Sequence, residues 1–187
     1  MSIVEITAES HGVDIDLFYA TDRNFTGLPV YTEAYCYLNA DAAAKLIMAA
    51  ELARRFGLRL RIFDALRPAE AQWVLWSHTP DPEFLANPRT GSPHSRGAAV
   101  DVSLSDDNGR LLEMGTPFDA FTPLSHHAAT GIPISAQRNR LLLLGLMTAA
   151  GWDFYRKEWW HYQLFDSRRY PLFADSALPK PMMKPRR

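Results

Sequence analysis

At 187 residues, with a formal net charge of -1 and a single cysteine, Cys36, the chain is long enough to bury a sizeable core as one domain and short for two. Its 47% hydrophobic and 22% charged residues exclude a disordered or fibrous protein. The near-zero charge offers no long-range field for nucleic acid or an anionic membrane, and the lone cysteine excludes an internal disulfide and a thiolate metal cluster, so any metal site must be built from His, Asp and Glu.

The N-terminal MSIVEITAES has no basic segment followed by an apolar one, and the longest apolar run, Leu141–Met147, is too short to span a bilayer. The sequence therefore reads as a cytoplasmic, single-domain protein over residues 1–187. A polar, turn-rich opening runs through TDRNFTGLPV. Residues 39–57 then predict a helix, with Asn39 or Asp41 as cap and Gly57 as stop. LRLRIFDAL, from Leu58, alternates Leu58, Leu60 and Ile62 against Arg59 and Arg61, as a half-exposed strand should. Pro68 opens a second helix through His78. Residues 79–97, with four prolines, read as an irregular loop.

In the next strand Ala98, Val100, Val102 and Leu104 share one face, which leaves Ala99, Asp101 and Ser103 on the other. DDNGR is a hairpin-like turn, and residues 105–133 look mostly irregular. Ser135 is a candidate cap for the amphipathic helix that Gly151 ends, EWWHYQLF is strand-like, and the chain after Tyr170 reads as a surface-wrapping tail. Strands with one polar face favour an α+β fold, helices packed on a small and mainly antiparallel sheet, over a doubly wound parallel one.

Asp101 interrupts the apolar strand of SPHSRGAAVDVSL, and a buried carboxylate is costly unless paired or bound to a metal. Three N or O ligands and one open position are the layout of catalytic zinc. His94 and Asp101 could supply two ligands. His161 in EWWHY is the best candidate for the third, because Glu158, three residues earlier, could serve a water as general base. The adjacent His126 and His127 compete for that place, although neighbouring side chains on extended backbone point apart and structural hydrogen bonding is their plainer role. EWWHY also reads as a core strand with two packed tryptophans and a satisfied interior histidine. His11 and His78 lack a nearby acidic cluster and read as surface or local hydrogen-bonding groups.

The combination of SPHSRGAAVDVSL and EWWHY resembles the zinc D-alanyl-D-alanine dipeptidases, within a wider group of zinc peptidases sharing Ser-x-His-x-x-Gly-x-x-x-Asp and a later His. Here that pattern is complete as Ser92, His94, Gly97 and Asp101. YATDRNFTG, DALRP, MGTPFDAF and SHHAATGI stand in the family's order, so the likeness runs from about Tyr19 to Phe165. The resemblance implies one zinc ion per chain on His94, Asp101 and His161, with Glu158 as catalytic base and Arg67 supporting the transition state. It further implies that Asp119 and Tyr19 contact the substrate ammonium and that Ser92 lines the carboxylate end; Trp159 and Trp160 are left as packing. The implied reaction is hydrolysis of D-Ala-D-Ala to two D-alanines, in cell-wall dipeptide turnover or D-alanine recovery, with a small dipeptide as partner and neither nucleic acid nor membrane. The alternatives are a D,D-carboxypeptidase or murein peptidase acting on longer peptides, and a catalytically inactive, zinc-stabilised binding module.

Overall fold

The computed structural model describes residues 2–183. In chain order its elements are β1 (Ile3–Glu5), α1 (Ala8–His11), β2 (Asp14–Ile15), β3 (Tyr37–Asn39), α2 (Ala40–Arg54), β4 (Leu58–Asp64), α3 (Ala69–His78), β5 (Ala99–Asp106), α4 (Ile134–Ala149), β6 (Asp153–Phe154) and β7 (His161–Gln163). Short 3-10 turns fall between them, one of them at His94–Arg96. Five strands form the main sheet in the order β2-β4-β5-β7-β6, antiparallel throughout except for β2 against β4. β1 and β3 make a separate antiparallel pair. This is the α+β arrangement expected.

α2 buries Ala42, Ala43, Leu46, Ala49, Ala50 and Ala53, a spacing that places small side chains along one helical stripe. That stripe and Leu143, Leu146 and Met147 of α4 share a core with Leu60, Ile62, Val100, Val102 and Leu104 of β4 and β5. The even-numbered face of β5 is thus fixed by aliphatic packing, and Asp101 is left on the other face.

Two registers then carry the site. Across β5 and β7, Val102 N–H donates to the Trp160 carbonyl at 3.0 Å and Leu164 N–H to the Ala98 carbonyl at 2.8 Å. Asp101 and His161, paired between these bonded positions, form a non-hydrogen-bonded pair, in which opposing side chains come closest. Across β4 and β5 the register slips: Ile62 faces Val102, but Asp64 faces Asp101. Phe63 is the extra residue, and its ring is held between Phe18 and Phe118. Strict alternation would have left Asp64 with Ile62 on the aliphatic face, whereas the bulge turns it towards Asp101.

Asn39 accepts from Ala42 N–H at 2.9 Å as the cap of α2, and its own N–H donates to the Gly97 carbonyl at 2.9 Å. Gly97 has φ +58, and a Cβ there would meet Asn39 N at 2.9 Å. The helix cap and the His94 turn therefore brace each other.

The structure departs from the sequence reading at three places. Ser135 does not cap α4; Pro133 precedes the helix, and Ser135 Oγ donates to Glu113 Oε2 from within its first turn. EWWHYQLF is a strand only over His161–Gln163, because Glu158 to Trp160 form a turn on which Trp159 N–H donates to the Ser125 carbonyl. The turn-rich opening contains β1, α1 and β2, each too short to show a period. The tail after Tyr170 is stitched down, with Thr32 N–H donating to the Met182 carbonyl at 2.7 Å and Leu178 and Met182 buried; residues 184–187 lie outside the described residues. Among the described residues no helix is long and apolar enough to cross a membrane.

Gly97→Ala should destabilise the protein by about 2 kcal/mol or more, since it adds left-handed strain to a backbone clash. Thermal denaturation should show this as a loss of about 4–8 °C in Tm. A change of a degree or less would mean that this turn is not braced against Asn39.

Candidate metal centre and the cavity around it

On the Asp101 face of the sheet lies a cavity of about 240 Å³, and all eight residues singled out in the sequence border it. Three of them converge. His94 Nε2 lies 3.1 Å from His161 Nδ1 and 3.3 Å from Asp101 Oδ1, and His161 Nδ1 lies 3.1 Å from the same oxygen. These edges are close to the roughly 3.3 Å between ligand atoms bound about 2.0–2.1 Å from a tetrahedral divalent ion. The outward nitrogens support the same arrangement. His94 Nδ1 donates to the Ala65 carbonyl at 2.7 Å and His161 Nε2 faces Gln163 Oε1 at 3.1 Å, so that each ring can turn a bare lone pair inward. Three lone pairs meeting in a buried space repel unless a cation joins them, and the donor set therefore fits a divalent metal. His94, Asp101 and His161 also form a possible metal-holding group among the described residues on proximity alone.

The charge around the triangle points the same way. Asp64, Asp101 and Glu158 are buried, and Asp119 faces the same cavity with its carboxylate turned inward; the one guanidinium among them is Arg67. Burial pushes the Glu158 carboxyl up to about 8, with Asp101 and Asp119 adding to the rise against His161 and Arg67. Burial, together with the charge of Asp101, likewise holds Asp119 well above the usual carboxylate range. A cation would reverse this pressure. Glu158 Oε2 lies 3.9 Å from His161 Nδ1, close enough to share a water with the donor triangle.

Arg67 is fixed from behind. Its Nε and Nη2 donate to Asp64 Oδ2 at 2.9 and 2.8 Å, its Nη1 donates to Gln72 Oε1 at 3.0 Å, and the Tyr19 ring lies 4.8 Å from its Cζ. Three of its five N–H groups are engaged and two are left for the cavity. Tyr31 OH also donates to Asp64, at 2.9 Å. Also lining the cavity, Tyr19 OH donates to Asp119 Oδ2 at 3.0 Å, while Ser92 Oγ accepts the His94 backbone N–H at 3.2 Å and keeps its own proton to give.

Asp119 has φ +58 and rides on a loop with little regular structure, so its position needs support. Thr116 provides it. Its Oγ1 accepts from Trp159 Nε1 at 2.9 Å and Arg140 Nη2 at 3.2 Å, and it adjoins Ser125 Oγ, which donates to the Ala120 carbonyl. Buried Arg140 also donates to the carbonyls of Met114, Leu124 and His126. Trp159, read from sequence as packing, thus also ties the Asp119 loop to the Glu158 turn. His126 and His127 stand apart from the triangle: His126 offers its carbonyl to Arg140, and the His127 ring packs against Phe154 and Tyr162. Burial and Arg140 push His127 down to about 4.

Residues 82–86 roof the cavity. Glu83 is clasped there by Lys157 Nζ at 2.9 Å and by Tyr155 OH, which donates to its carbonyl at 3.0 Å, and Phe84 stacks on Phe121. The sequence reading missed this roof, and also Asp64, Gln72 and Gln163. A carboxylate ending an alternating strand, and a polar side chain two residues beyond His161 on a strand, were the available signals for Asp64 and Gln163.

Comparison with known proteins agrees with the geometry. The M15 peptidase family described as D-ala-D-ala dipeptidase matches residues 1–178. The D-alanyl-D-alanine dipeptidase of Escherichia coli (strain K12) is 41% identical over 173 residues, 92% of this chain and 90% of that protein. Those of Enterococcus faecium and Streptomyces coelicolor are 36% and 35% identical, over 83% and 82% of this chain and 88% and 86% of their own lengths.

A carboxyl whose folded-state pKa is raised supports the fold fully below its unfolded value, and that support is lost as pH climbs through the folded value. For Glu158 the window runs from 4.5 to about 8. In excess chelator, the Tm of the wild type should therefore fall relative to that of Glu158→Gln as pH rises from about 5 to 8, and a divalent ion should narrow the difference. Parallel melting curves for the two proteins would mean that Glu158 is not held protonated by its surroundings.

Proposed function

Because the chain belongs to the D-Ala-D-Ala dipeptidase family of M15 metallopeptidases, we propose that it hydrolyses D-Ala-D-Ala to two D-alanines with zinc held by His94, Asp101 and His161. The observation that carries the reading is one cavity lined together by the donor triangle, Glu158 beside it, Arg67 with two unused donors, and the Asp119–Tyr19 pair. When bound, zinc would supply a Lewis acid that polarises the scissile carbonyl and acidifies water.

The chain's own groups would do the rest. Glu158 takes a proton from the attacking water on a carboxylate oxygen and returns it to the leaving amine. As charge builds on the former carbonyl oxygen, the free N–H groups of Arg67 donate to it; Asp64 and Gln72 have already fixed the guanidinium, so little reorganisation is needed. Asp119 receives the substrate ammonium, oriented by Tyr19, and Ser92 Oγ donates to the terminal carboxylate.

Support for a dipeptide over a longer substrate comes from the inward carboxylate of Asp119. An acylated amine brings no charge to it, and a desolvated polar group left unpaired costs binding. On this reading the activity serves dipeptide turnover in the cell wall and recovery of D-alanine.

Zinc-loaded protein should release D-alanine from free D-Ala-D-Ala and leave N-acetyl-D-Ala-D-Ala intact. Cleavage of the acetylated compound would make the protein a carboxypeptidase, and silence on both would end the dipeptidase reading. Glu158→Gln should lower kcat by about 10²- to 10⁴-fold with bound zinc unchanged, and Arg67→Met by about 10²- to 10³-fold. Full turnover by Glu158→Gln would remove the general base from the mechanism.

A further inference from the structure

The two histidines of the donor triangle are oriented by different means. His94 has its outward Nδ1 on the Ala65 backbone carbonyl, an acceptor that no side-chain substitution removes. His161 reaches the triangle through Nδ1, the ring nitrogen nearer its own backbone, because its register opposite Asp101 leaves only a short span to cross. Its Nε2 is thereby turned along the strand towards Gln163 Oε1, 3.1 Å away. Residues 161 and 163 share a face of β7 because side chains alternate along a strand.

A neutral imidazole carries one N–H proton. Both ring nitrogens of His161 face an acceptor at 3.1 Å, Gln163 Oε1 at Nε2 and the Asp101 carboxylate at Nδ1; the Gln163 contact favours the proton at Nε2, which leaves the Nδ1 lone pair open to a cation. In the other tautomer, Nδ1–H points at Asp101 Oδ1 and His94 Nε2 and fills the place a metal would take. We propose that Gln163 is the positioning residue that selects the metal-binding tautomer of His161 and so sets the metal affinity of the centre. The inference rests on the zinc reading above.

The choice of an amide has a physical reason. Asp64, Asp101, Asp119 and Glu158 already outnumber Arg67, and a fifth carboxylate at 163 would add to their repulsion. Gln163 supplies an acceptor without charge. It is also a side chain that can be exchanged at the end of a short strand, which makes it the adjustable half of a pair whose other half is backbone.

The test uses the full-length chain, stripped of metal and titrated with zinc against a chromogenic chelator of known affinity. Gln163→Leu should bind zinc about 10- to 100-fold more weakly than wild type, and Gln163→Glu, which restores an acceptor, should return to within about threefold of it. Long-range 1H–15N NMR of the metal-free proteins should find a larger population of His161 protonated at Nε2 in the wild type than in Gln163→Leu. Zinc affinity unchanged in Gln163→Leu, or equally weak in Gln163→Glu, overturns the assignment, as does an Nε2-protonated population of His161 that is the same in the wild type and Gln163→Leu. Should Gln163→Leu fail to fold, Gln163→Met gives similar reach without the amide acceptor, and both measurements are read on it against the wild type. A wild type with no zinc affinity overturns the metal reading together with this assignment, whereas an unchanged Gln163→Leu overturns this assignment alone.

Discussion

Crowding of like charge among buried groups is the constraint to which the rest of the fold answers. Four carboxyl groups and one guanidinium share the region beneath the Pro82–Ala86 roof. Isolated ions in such a place would be expelled or neutralised. The arrangement becomes sustainable because Arg67 is locked on Asp64, two carboxyls are raised so that they can hold protons, and three donors are aimed at one point where a cation would be most strongly attracted.

Each part of that arrangement traces to an ordinary backbone device. Aliphatic packing of β5 against α2 and α4 decides which face Asp101 takes. A non-hydrogen-bonded pair brings His161 across from it, and one extra residue, Phe63, turns Asp64 to the same side. Gly97 lets the His94 turn close against the cap of α2. The loop bearing Asp119 has no strand to hold it and depends instead on Thr116, where donors from Arg140 and Trp159 meet. Among the described residues buried Arg140 has no carboxylate partner; backbone carbonyls and Thr116 take its donors.

The parts of this architecture that could be read from sequence are those in which a single periodicity or a single residue type decides the outcome. The spacing of small apolar residues in α2, the alternation of Leu58, Leu60 and Ile62, and the position of Asp101 opposite the aliphatic face were all visible. Eight candidate site residues could be listed: His94 and Asp101 followed from local pattern, His161 with Glu158 three residues earlier was the best candidate to complete them, and Arg67, Asp119, Tyr19 and Ser92 came from likeness to a family. Asp64 was hidden because alternation assigns it to the wrong face, and nothing local to the sequence announces the bulge. Ser135 looked like a cap because its residue type suits one, yet the helix had already begun at Ile134. Three-residue strands such as β1 and β3 offer no period to read, since their pairing is decided by contacts more than thirty residues apart along the chain. The dependence of the Asp119 loop on Thr116 and Trp159 joins two distant motifs, MGTPFDAF and EWWHY, through a side-chain hydrogen bond, and such closure is a property of the folded chain alone.

The spacing of the three donors along the polypeptide also orders events during the protein's manufacture. His94 and Asp101 leave the ribosome together, but His161 follows 60 residues behind Asp101, and β7 cannot pair with β5 until it has emerged. Until then only two of the three donors are present. The three-donor triangle closes only when this last strand is added, so on the proposed zinc reading the ion enters a nearly finished molecule.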